Sequence, residues 1–73
     1  MLNLYIHKNW KEEWFQTTCE EGQTLKELIQ RLQIPWEKVG LLIIDGHSAD
    51  EKEVVRALYD DAHVEVFPTM NGV

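Results

Sequence analysis

The chain has 73 residues, 44% of them hydrophobic and 27% charged, with 13 Asp and Glu against 7 Lys and Arg for a formal net charge of −6. That length accommodates one small domain and excludes two, and the apolar content excludes a disordered chain. The acidic balance argues against nucleic-acid binding, which rests on clustered Lys and Arg, and favours a basic protein partner.

Leu2, Leu4 and Ile6 alternate with Asn3, Tyr5 and His7, the period-2 pattern of a half-buried strand. This opening lacks the charged and long apolar regions of a signal peptide. No stretch approaches the roughly 20 apolar residues of a membrane helix, so no membrane partner is expected. Lys8 to Lys11 breaks the pattern, and Glu13 to Cys19 resumes it with Phe15, Thr17 and Cys19 on one face and Trp14, Gln16 and Thr18 on the other. The two runs predict a hairpin. Cys19 is the single cysteine and cannot form an internal disulfide, so stability must come from packing, and a reducing, cytoplasmic setting is expected.

Leu25, Leu28, Ile29 and Leu32 form one helical stripe, introduced by Thr24 with Glu27 in capping-box spacing and closed by Pro35. Val39 to Ile44 is an apolar run too short for a helix, ended by the tight-turn pair Asp45-Gly46, and reads as a central strand. Ala49 to Leu58 fits either a short helix started by Asp50 and Glu53 or an irregular crossing; the helix is the expectation. Tyr59 to Ala62 turns the chain, and His63 to Phe67 alternates as a last strand before Pro68. The fold class is therefore α+β, a mixed sheet of about four to five strands on one main helix. Residues 1–68 are expected to form the domain and residues 69–73 a tail.

The chain resembles the MoaD/ThiS sulfur-carrier family of ubiquitin-like β-grasp proteins, and the likeness runs over its full length. It is carried by Cys19-Glu20-Glu21-Gly22-Gln23-Thr24-Leu25 before the helix, Ile34-Pro35 after it, the strand closed by Asp45-Gly46, Leu58-Tyr59-Asp60, and Val64 to Pro68. The resemblance implies a carrier and not an enzyme. An E1-like activating enzyme, using ATP, would adenylate the C-terminal carboxylate, which would become a thiocarboxylate and deliver sulfur to a biosynthetic enzyme of molybdopterin or thiamine synthesis or tRNA thiolation. No cofactor would be bound by the carrier itself. The working tail is then Gly72-Val73, where the family has Gly-Gly. The alternative is a ubiquitin-like interaction module that lost carrier activity with that change.

The residues themselves offer no nucleophile with a base and no phosphate-binding glycine loop. Cys19 lies in phase with the core face and reads as a structural thiol. His7, His47 and His63 show no metal-ligand spacing, so no metal site is expected. Asp60 and Asp61 read as turn residues, and Asp50 to Glu53 as a solvated run. The candidate partner-binding surface is aromatic and apolar: Tyr5, Trp14, Phe67 and Met70, with one parity of Leu41 to Ile44.

Overall fold

The computed structural model describes residues 1–69. The first two runs pair as expected: β1 (Leu2–Lys8) and β2 (Glu13–Cys19) form an antiparallel hairpin in which Leu2 faces Cys19 and Lys8 faces Glu13. A 3-10 turn at Asn9–Lys11 joins them, and Glu12 in the left-handed region (φ 49°) returns the chain. The helix α1 (Leu25–Arg31) starts on a complete capping box. The Thr24 hydroxyl accepts from Glu27 N at 3.2 Å, while Thr24 N donates to Glu27 Oε1 at 2.9 Å. Arg31 in its last turn donates to Thr17 Oγ1 and to the Thr18 carbonyl, which ties the helix to β2.

β3 (Val39–Ile44) turns at Asp45 and Gly46, both at positive φ (48° and 88°), into the two-residue strand β4 (His47–Ser48). Positive φ at both central positions is what makes Asp-Gly a hairpin signal. β5 (Ala62–Pro68) pairs parallel with β1 and antiparallel with β3, giving a mixed sheet in the order β2-β1-β5-β3-β4. With one helix across it, this is the ubiquitin-like β-grasp.

Three expectations are corrected. β3 lies inside the sheet, paired with β5 on one side and β4 on the other, but β5 takes the middle, because its connection returns it between β1 and β3. Leu41 of β3 is exposed because its parity sends it to the face of the sheet that the helix does not cover. The expected helix between Ala49 and Leu58 is only a 3-10 turn at Glu53–Val55. Asp50 Oδ1 accepts from Lys52 N and Glu53 N, but Arg56 is already extended, Ala57 bridges Thr24, and Leu58 N donates to Gln23 O at 2.7 Å. Those long-range bonds win over local helix formation and bury Leu58. Finally, β5 includes Ala62 and Pro68 beyond the expected His63 to Phe67.

Leu4 and Ile6 of β1, Cys19 of β2, Leu25, Leu28 and Ile29 of α1, Leu42 and Ile44 of β3 and Ala62, Val64 and Val66 of β5 close the core, joined by Ile34 and Leu58. No polar residue is buried with them among the described residues. The sheet therefore packs one face on the helix and leaves the other open.

Candidate functional site

Strand parity that sends Leu4, Ile6, Val64 and Val66 into the core sends Tyr5, His7, His63, Glu65 and Phe67 to the opposite face. Trp14 and Gln16 of β2 and Leu41 and Ile43 of β3 join them. The register sets the neighbours. His7 lies between Trp14 and Glu65, Glu65 faces Ile43, Tyr5 lies between Gln16 and His63, and Phe67 faces Leu41.

Two ring contacts order this surface. The His7 and Trp14 rings stack with centroids 4.0 Å apart and planes 2° from parallel, and Tyr5 leans on His63 at 4.7 Å. Trp14 remains 61% exposed and Leu41 43% exposed. His7 Nδ1 is buried without a hydrogen-bond partner, and Glu65 Oε2 at 3.6 Å is too distant to be one. A shallow depression of about 440 Å³ opens beside Trp14, lined by Asp45, Gly46, Asp61, His63 and Glu65.

Asp45 fixes the rim of that depression. Its carboxylate accepts from the Tyr59 hydroxyl and, at 2.9 Å, from His63 N. These bonds, Tyr59 first, hold the Asp45 carboxyl below its ordinary value, and the same bond pushes the Tyr59 phenol up to about 12. Asp60 and Asp61 do the turn work expected of them. Asp60 Oδ1 accepts from Asn3 N at 2.7 Å, and Asp61, at φ 63°, donates its N–H to Asn3 O.

Of the expected surface residues, Tyr5, Trp14 and Phe67 share this face, while Met70 lies outside the described residues, as do Gly72 and Val73. The last described residue, Thr69, donates its N–H to Lys38 O at 2.9 Å. His7, His63 and Glu65, interleaved among the aromatics, were not expected on this surface, although each has the same parity as Tyr5 or Phe67. The signal was there in the alternation.

Cys19 is 1% exposed, and burial pushes its thiol up despite the opposing charges of Arg31 and the N-terminus. A buried neutral thiol is a poor nucleophile. His47 pairs with Glu53 at 2.9 Å on the far edge of the sheet. No three His, Cys, Asp or Glu side chains converge as metal ligands would among the described residues. No helix there is long and apolar enough to cross a membrane.

No curated protein matches the chain. The family model described as Mut7-C ubiquitin matches residues 1–73. The likeness to sulfur carriers seen in the sequence thus falls within a ubiquitin-like family related to them, whose small domain fits a carrier or interaction module rather than a catalyst. The chain belongs to the Mut7-C ubiquitin family.

Proposed function

We propose that the domain is a protein-binding module that docks on a basic partner through the open face of its sheet. The observation supporting this most is the joint exposure of Trp14 and Leu41 on the face that also carries Tyr5 and Phe67. Aromatic anchors on a rigid sheet lose little conformational entropy on docking. Asp45, Asp61 and Glu65 around the depression suit a partner with Lys or Arg around an apolar centre. The unpartnered thiol of Cys19 suits a reducing, cytoplasmic setting. Photocrosslinking in the cells that make the protein tests this. Benzoylphenylalanine at Gln16 should capture a partner that the same group at Gln30 on the helix does not, and Trp14→Ala should abolish the capture. Equal capture from both positions, or none from Gln16, would overturn the reading.

The family's relation to sulfur carriers favours a second reading, in which the docked partner is an E1-like activating enzyme. The C-terminal carboxylate attacks the α-phosphorus of ATP, pyrophosphate leaves, and hydrosulfide then displaces AMP from the acyl adenylate to give a thiocarboxylate for a biosynthetic enzyme. Gly72, without a side chain, suits the extended entry of a carrier tail better than the β-branched Val73. The intact mass of protein from its native cells decides this. A terminal oxygen replaced by sulfur establishes the carrier, and an unmodified C-terminal carboxylate with activating enzyme and ATP supplied removes it.

A further inference from the structure

The other end of the molecule carries a hollow that the open face does not touch. It measures about 420 Å³ and is lined by Leu32, Ile34, Pro35 and Pro68, with Trp10 at its side and Lys8, Lys11 and Lys38 around it. The volume lies within the range of built binding sites, about 300–1,000 Å³. Four segments meet here for separate reasons. The parallel pairing of β1 and β5 sets Lys8 beside Val66, so Pro68 continues past the end of β1. Val39 pairs with Pro68, which brings Lys38 alongside. Gln33, at φ 61°, turns the chain off the helix so that Ile34 packs into the core. The 3-10 turn Asn9–Lys11 supplies Trp10, which is 42% exposed.

Lys8 and Pro68 have the core parity of their strands, so the hollow opens on the helix side, opposite the aromatic face. Its charge runs against the chain. Three of the 7 Lys and Arg residues gather here in a protein of net charge −6. Among the described residues none of the three lysines forms an ion pair; Lys8 Nζ instead sits 5.4 Å from the Phe15 ring centroid. Glu13 faces Lys8 across the hairpin and Glu12 and Glu37 are near in sequence, but none of the three lines the hollow. Gathering like charges is unfavourable unless a counter-charge arrives, and among the described residues no carboxylate lies within ion-pair distance of these lysines.

We infer that this hollow docks an acidic segment of a protein partner, an apolar side chain resting on Leu32, Ile34 and Pro68 while flanking carboxylates meet Lys8, Lys11 and Lys38. An apolar floor inside a basic ring matches an apolar residue between acids. It does not match a nucleic-acid backbone, which needs a longer run of basic groups and would meet the net negative charge of the whole chain. The site is independent of the open-face reading and survives its failure.

The test titrates the full ¹⁵N-labelled chain with the blocked peptide acetyl-Asp-Glu-Leu-Asp-Glu-amide. The Trp10 indole N–H and the amides of Lys11, Gln33 and Lys38 should move saturably, with binding weakening as salt is raised. Lys11→Gln and Lys38→Gln should each weaken binding about twofold to fivefold, with the fold checked by circular dichroism, while Lys52→Gln should not. Several outcomes overturn the inference. One is no saturable movement; another is equal binding by the peptide with its acids replaced by glutamine. Movement centred on Trp14 places the peptide on the open face instead. Trp10 signals that depend on protein concentration make a second copy the occupant, and a Trp10 shift on deleting residues 70–73 makes the chain's own end the occupant.

Discussion

The aromatic face and the lysine hollow are built from opposite parities of the same strands. Tyr5 and His7 of β1 go to one side and Lys8 to the other; Phe67 and Pro68 of β5 divide in the same way. The face is aromatic with Asp45, Asp61 and Glu65 along its depression, whereas the hollow is apolar with lysines around it. In a chain of net charge −6 the acidic rim follows the average and the basic ring departs from it. Overall charge therefore describes the surface an approaching partner meets first, while local charge decides what each site accepts.

The comparison breaks most completely if the shared core is loosened. Leu28 is fully buried between helix and sheet, and Leu28→Ala should cost about 2–5 kcal/mol, a large part of a small domain's stability. Urea midpoints should fall steeply, and both surfaces should be lost together. Gly40→Ala should separate them. A Cβ at Gly40 would lie 2.5 Å from Pro68 O and 2.9 Å from Pro68 C, at the point where the β3–β5 register shifts. The end of β5 must then move, at a cost of about 1–3 kcal/mol. Chemical shifts around Pro68 and Lys38 should change while those of Trp14 and Tyr5 stay put.

Thr24→Ala removes the capping box at the opposite end of the helix from the hollow and should cost about 1 kcal/mol. Thermal melts should show the loss with both surfaces intact. The smallest effect is the pH dependence of Asp45 and Tyr59, both exposed. Asp45 is held below its usual value, so its contribution is present above the unfolded value, about 3.9, and fades as pH falls through the lower folded one. Tyr59 is raised to about 12, so its contribution is complete below about pH 10 and fades as pH rises toward 12. In Tyr59→Phe, stability measured against pH should lose the alkaline step and shrink the acid one, with the hollow unaffected.

Much of the fold was legible because its signals are local. Alternation marked β1, β2 and β5, and Thr24 with Glu27 marked the helix start in the form the structure has. Asp45-Gly46 marked its hairpin, although two residues of β4 were too few to leave a pattern. The aromatic face was legible in part, through the parity of Tyr5, Trp14 and Phe67. The stacking of His7 on Trp14 was not, because it depends on which residue of β2 faces which residue of β1. The apolar run of β3 was read as central because hydrophobicity reports burial, not strand order, and Leu41 spends its side chain on the open face.

What the sequence determined by itself is β1, β2, α1, β3 and β5 as elements, the helix cap, the Asp45-Gly46 turn and the two faces of these strands. Each of these follows from side chains within a few residues of one another, through periodicity, capping and backbone preference. Only the tertiary structure decided that β5 lies in the middle of the sheet and that Lys8, Lys11 and Lys38 gather beside Pro68. Those positions are brought together by pairings between distant segments, above all β1 with β5 and Val39 with Pro68. Backbone hydrogen bonding is the same for every residue type other than proline, so such pairings leave little mark on any single stretch of sequence.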